Sequence, residues 1–157
     1  GKLYDYKNSI ILNKLHPSFR ELAKQFFAKV KTDLGIQLIA TSGYRSFVEQ
    51  ANLHLTNPKN AKPGLSNHNY GFAFDANGLN PVTGKIILKK DSTTQDWINS
   101  GIIKIADSMG LLWGGVEFKG YHDPVHFYIN PNGLKSSQLL ALHNRGKVDS
   151  NGYVNIS

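Results

Sequence analysis

Along PSFRELAKQFFAKVKTDLG (17–35) the apolar residues Phe19, Leu22, Phe26, Phe27, Val30 and Leu34 recur at the three-to-four spacing of a helix that buries one face. Pro17 suits its first turn and Gly35 its stop. The pattern then changes. IQLIATS (36–42) is a short run rich in branched residues, which predicts a buried strand ending at Gly43. Ser46 and Glu49 have the spacing of a capping box, so a helix of about ten residues should follow. Arg45 is thereby pinned between a strand end and a helix start. TNPKNAKPGLSN (56–67) is loop by its Pro, Gly and Asn content. GFAFDAN (71–77) predicts a second strand, and NPVTG (80–84) a hairpin turn into KIILK (85–89). DSTTQDWINSGIIKIADSMG (91–110) predicts one long helix capped by Asp91 or Ser92, with Trp97, Ile98, Ile102, Ile105 and Met109 in the core. LLWGG (111–115) and HFYI (126–129) complete a small sheet, and SSQLLALHN (136–144) predicts a short helix before a polar tail. The order of elements indicates an α+β domain.

At 157 residues without internal repeats, one domain over 1–157 is expected. Cysteine is absent, which excludes disulfides and thiolate metal sites. No apolar run approaches the roughly 20 residues of a membrane-spanning helix. GKLYDYKNSIILNKLH lacks the apolar core and cleavage site of an export signal. A trimmed leader is one expectation that leaves. The net charge of +7 favours polyanionic partners. Yet Lys and Arg are scattered, with no run longer than Lys89-Lys90, which argues against a nucleic-acid patch and for a generally basic surface.

The candidate chemistry lies in SNHNYGFAFD (66–75) and HDPVH (122–126). His68 and Asp75 flank a loop-to-strand passage, and His126 stands at the edge of a late strand. Two imidazoles and one carboxylate, with a fourth position left to water, form the ligand set of a catalytic zinc, and also suit other divalent ions. Asp123 lies three residues before His126, an offset that in a regular strand points side chains to opposite faces. Pro124 argues against regularity, so Asp123 can sit on the approach loop and lean over the same ion, where a general base belongs. Glu117 is the reserve candidate for that base. His122 reads as a solvent-exposed neighbour, and His16, His54 and His143 as structural or surface residues. Tyr70, Phe72, Trp113 and Tyr121 suit either a peptide groove or the core.

S-N-H-N-Y-G-F-A-F-D matches the S-x-H-x-x-G-x-A-x-D motif of the zinc D-Ala-D-Ala metallopeptidases, position for position. GYRS (43–46), WGG (113–115) and DPVHF (123–127) resemble that family's arginine-bearing strand end and closing motif. The combination most resembles the L-alanyl-D-glutamate endopeptidase endolysins of phages, over about residues 36–129. The resemblance implies the small, mostly antiparallel sheet with flanking helices shared by these peptidases and the hedgehog domain. It implies that His68, Asp75 and His126 hold one Zn2+, that Asp123 is the base acting on the attacking water, and that Arg45 is the cation near the scissile carbonyl. Ser66 and Tyr70 are its substrate-binding candidates. Its partner is bacterial peptidoglycan, met at the cell wall or in the periplasm by a monomer that arrives through holin release, through a secretion system or after loss of a leader. A D,D-carboxypeptidase that trims terminal D-Ala and a non-catalytic zinc-containing binding module are the alternatives. The chain departs from the pattern at Tyr128, where the endolysin branch often carries an acid, and 130–157 form an extension without an assigned role.

Overall fold

The computed structural model describes residues 2–117 and 122–157, apart from the side chains of Lys2 and Glu117. Tyr121, a groove candidate, and the Glu117 side chain, the reserve base, lie outside the described residues. Helix α2 (Pro17–Leu34) follows the sequence pattern: Phe19, Phe26, Phe27 and Val30 are buried, while Leu22 and Leu34 pack partly buried against them. Strand β1 (Gln37–Ser42) leads into α3 (Phe47–Thr56), whose predicted Ser46–Glu49 capping box forms with both bonds at 3.0 Å. Strand β2 (Ala73–Asn80) is the centre of the sheet. It pairs antiparallel with β1 on one edge. Its other edge is shared, by β5 (His126–Tyr128) along 73–75 and by β3 (Lys85–Leu88) along 78–80. Strand β4 (Leu112–Trp113) completes the sheet beyond β5.

The strands obey the two-residue alternation of a half-covered sheet. Phe74, Ala76 and Phe127 face the core under α2, where Phe74 and Phe127 stack at 5.7 Å between ring centroids. Asp75, Asn77, His126 and Tyr128 face the other way, into a cleft. An expected α+β architecture with an antiparallel sheet is what forms.

Three features differ from the sequence reading. The 91–110 segment is two helices, α4 (Thr94–Asn99) and α5 (Ile102–Ser108), because Gly101 takes a left-handed φ of 90° between them; the cap is Thr93, whose hydroxyl accepts from Asp96 N–H. After β4 the chain turns into a short helix, α6 (Gly114–Glu117), so the strand expected over 111–115 is only two residues long. An unanticipated helix, α1 (Lys2–Leu12), covers the free edge of β1. There the Asn8 amide donates to Leu38 O at 2.9 Å and accepts from Ala40 N–H at 2.8 Å, standing in for a neighbouring strand.

The C-terminal segment packs on the core. Leu139 of α7 (Ser136–Asn144) is fully buried, and Val154 is nearly so. Val154 O accepts from His16 Nε2–H at 2.7 Å, and the His16 ring stacks on Phe72 at 4.3 Å. Among the described residues no helix is long and apolar enough to cross a membrane.

Candidate metal centre

His68 is delivered by a 3-10 turn, Asn67–Tyr70, built by its own sequence. Ser66 Oγ accepts from His68 N–H at 3.2 Å, and the turn closes at Gly71, whose φ of 75° favours glycine. An added Cβ at Gly71 would lie 2.4 Å from His16 N, so glycine is required for close approach as well. The turn is knitted to the GYRS segment by Arg45 N–H donating to His68 O at 3.0 Å and by the Asn69 amide donating to Arg45 O at 2.9 Å.

Asp75 and His126 meet for a different reason. They are directly opposite one another in the β2–β5 ladder, on the cleft face, where paired side chains are nearest neighbours. A bulge in β1 between Ala40 and Ser42 sits opposite Asp75, a common device for aiming a functional side chain. The result is convergence on one oxygen: Asp75 Oδ1 lies 3.2 Å from His68 Nε2 and 3.1 Å from His126 Nδ1.

The donor set fits a cation. His68 Nδ1 is 2.7 Å from Gly43 O, a group that only accepts, so Nδ1 carries the proton. In the neutral ring Nε2 is then a lone pair aimed at a carboxylate oxygen. Two acceptors at that distance require a positive charge between or upon them. A backbone carbonyl that fixes the tautomer of a ligating histidine is the usual outer support of a metal site. Burial alone would raise the Asp75 carboxyl, but the two imidazoles beside it, His68 foremost, hold it well below the usual carboxylate range. Burial also lowers His126, partly countered by Asp75, which favours the neutral, ligating form. His68, Asp75 and His126 could therefore hold one divalent ion, and nitrogen and oxygen donors of this kind suit zinc.

The three lie in a cleft of about 880 Å³ that also exposes Arg45, Ser66 and Asp123. Asp123 begins a tight turn in which His126 N–H donates to Asp123 O at 3.1 Å, so the Pro124 irregularity does bring the acid to the face of His126. Burial and the nearby Asp75 charge raise its carboxyl. The Arg45 guanidinium is 3.8 Å from Asp75 Oδ2 and is anchored by Gln50 Oε1 at 3.0 Å and Ser42 Oγ at 3.1 Å.

Tyr70 is not brought to the cleft. It is buried, its hydroxyl donates to Gly64 O at 2.6 Å, and burial raises its pKa, so the expected substrate contact is corrected to a structural bond. Phe72 and Trp113 are likewise core, with Trp113 Nε1–H donating to Pro124 O at 2.7 Å. His122 is exposed between Thr94 and Ser92. Two supports went unread in the sequence. Gln50 and Asn69 are buried polar residues: the Gln50 amide reaches Ala61 O and the Asn69 amide reaches Arg45 O, and of these only Asn69 has a local mark, its capping-box spacing from Ser66.

An α+β domain that aims two imidazoles and a carboxylate from an antiparallel sheet and an adjoining turn into an open cleft has the build of a metal-dependent hydrolase. Residues 59–129 match the family described as D-alanyl-D-alanine carboxypeptidase. The peptidoglycan L-alanyl-D-glutamate endopeptidase CwlK of Bacillus subtilis (strain 168) is 33% identical over 130 residues, 75% of either chain. The chain belongs to this D-alanyl-D-alanine carboxypeptidase family of peptidases. Two solved structures share the fold. The L-Ala D-Glu endopeptidase ChiX of Serratia marcescens superposes with a TM-score of 0.59 at 19% identity, over 82% of this chain and 90% of ChiX. The vancomycin-resistance D,D-pentapeptidase VanY, solved in complex with Zn(II), gives 0.54 at 16% identity, over 81% of this chain and 78% of VanY.

Proposed function

We propose that the chain is a zinc-dependent peptidoglycan hydrolase that cleaves the L-alanyl-D-glutamate bond of stem peptides. The observation that carries this reading is the meeting of His68 and His126 on Asp75 Oδ1 beside Asp123 in an open cleft. The 33% identity to an L-alanyl-D-glutamate endopeptidase favours that bond over the terminal D-Ala of the carboxypeptidase alternative.

Zinc bound by His68, Asp75 and His126 would supply Lewis acidity, polarising a carbonyl and easing deprotonation of water near neutral pH. Asp123 takes the proton of the attacking water and returns it to the leaving amine, a contribution of about 10²–10⁴-fold. The pKa of Asp123, raised by burial and Asp75, suits a group that must both accept and release a proton. Arg45 donates to the carbonyl oxygen as it gains negative charge; removing one preorganised donor costs about 3–4 kcal/mol. Gln50 and Ser42 keep the guanidinium aimed, so little reorganisation accompanies that step. Ser66 acts chiefly by holding the turn that carries His68, with its cleft position leaving it within reach of substrate.

Similarity to a peptidoglycan endopeptidase supports action at the bacterial cell wall, where we take the chain to act as a monomer. Burial of Leu139 and Val154 supports one domain that includes 130–157. Mass spectrometry of digested muropeptides tests the reading. Release of a peptide beginning with D-Glu, abolished by a chelator, is the expected result. Loss of a single D-Ala would establish the carboxypeptidase reading instead, and unchanged muropeptides would refute both.

A further inference from the structure

The cleft is lined by four cations, Arg45, Lys59, Lys90 and Lys135, against two carboxylates, Asp75 and Asp123. Two of the cations have work within the site. Arg45 faces Asp75, and the charge of Lys90 partly opposes the rise that burial and Asp75 impose on the Asp123 carboxyl. Lys59 and Lys135 have no ion-pair partner among the described residues.

Their backbones are fixed in place. Lys59 sits on the loop after α3, where His54 Nδ1–H donates to Asn60 O at 2.7 Å, the Asn60 amide to Leu53 O at 3.0 Å, and the Gln50 amide to Ala61 O at 2.8 Å. Lys135 stands immediately before α7, its N–H donating to Gln138 Oε1 at 2.9 Å. The Asn67 amide ties the stretch leading to it back to the His68 turn, donating to Ile129 O at 2.7 Å. Two exposed lysines without ion-pair partners, on pinned segments that line an otherwise balanced cleft, give its binding face a surplus of positive charge. Complementary charge on a binding face gives specificity more than raw affinity.

The L-alanyl-D-glutamate bond supplies the anion. In an alanyl-glutamate bond the glutamate provides the amine. Glutamate carries two carboxyl groups and the chain can continue through only one, so the other remains ionised beside the scissile bond. We propose that Lys59 and Lys135 form the subsite for this free glutamyl carboxylate, so that the enzyme discriminates against stem peptides in which it is amidated. The inference rests on the endopeptidase reading. It also gives the start of the C-terminal extension a task, because Lys135 belongs to it.

Two synthetic stem peptides that differ only in carboxylate or carboxamide at that position test it. Each is assayed for cleavage by the zinc-loaded protein, and for equilibrium binding to the zinc-free protein by fluorescence polarisation. The expected result is about a tenfold preference of the wild type for the carboxylate in kcat/KM, expressed in KM, and a matching preference in binding. Lys59→Ala and Lys135→Ala should each raise KM for the carboxylate peptide about threefold, together accounting for a preference of about tenfold, while leaving kcat within about twofold and changing the amide peptide little. The double variant should treat both peptides alike. Equal cleavage of the two peptides by the wild type, or a preference that survives the double variant, overturns the subsite and leaves the endopeptidase reading intact. Preferential binding of the carboxylate peptide without cleavage supports the subsite and sinks the endopeptidase reading. Failure to bind or cut either peptide overturns both.

Discussion

Replacing Gly71 by alanine should damage the protein at the joint between its core and its metal centre. The residue has φ 75°, and a left-handed conformation costs an alanine about 1–2 kcal/mol. The new Cβ would stand 2.4 Å from His16 N and 3.1 Å from Leu15 C. Both are backbone atoms, so the 3-10 turn and the start of α2 must separate. Overpacking of this kind costs about 1–3 kcal/mol. Separation also stretches the His16 N–H bond to Gly71 O, now 2.9 Å, which contributes about 1 kcal/mol. The sum is about 3–6 kcal/mol, and for a chain of this size each kcal/mol moves Tm by about 2–4 °C. Thermal unfolding of the zinc-free protein, followed by circular dichroism, should therefore show a fall of at least about 6 °C. Because His68 rides on the displaced turn, zinc affinity should fall in the same variant. A Tm within about 2 °C of wild type would refute the argument that the motif glycine is fixed by backbone approach.

Asp123→Asn keeps the shape of the side chain but removes the proton acceptor. Its kcat on a stem peptide should fall about 10²–10⁴-fold while zinc content stays at the wild-type value; full activity would dismiss Asp123 as the base. A pH effect follows from His16, which burial holds below its ordinary value of 6.5 although Val154 O partly opposes this. Neutral His16 donates through Nε2 to Val154 O and accepts at Nδ1 from Ser18 N–H at 3.1 Å, capping α2. The unfolded chain therefore takes up the proton first on acidification. Stability contributed by the neutral ring is present above the unfolded value and is lost as pH falls below it. The urea midpoint of zinc-free protein should drop between about pH 7.5 and about pH 5.5, and drop less in His16→Gln. Since burial lowers His126 as well and that residue titrates in both proteins, equal slopes would remove His16 from the account.

What was legible in the sequence was local. The α2 stripe, the Ser46 box and the hairpin after β2 depend on neighbours a few positions apart, and the ten-residue stretch around His68 is specific enough to name a family. The site residues could be nominated, but their convergence depends on the β2–β5 register, which sets Asp75 opposite His126 across 51 positions of chain. Helix α1 was unreadable because its pattern is mixed, with only Leu12 and, in part, Ile11 of its apolar residues packed on the core. Leu3, Tyr6 and Ile10 point outward, while the polar Asn8 is buried as a partner for the β1 edge. The break in 91–110 depends on one glycine φ, and a lone Gly within a helical pattern does not announce it. Tyr70 was misassigned because an aromatic beside a ligand suits a groove and a core equally; the bond to Gly64 O decides.

The most direct measurement is zinc content per chain after exhaustive dialysis, for wild type and for Asp75→Ala with its fold verified by circular dichroism. One ion in the wild type and almost none in the variant is the predicted result, since Asp75 Oδ1 is the atom on which both imidazoles meet. Undiminished zinc in the folded variant would contradict the account.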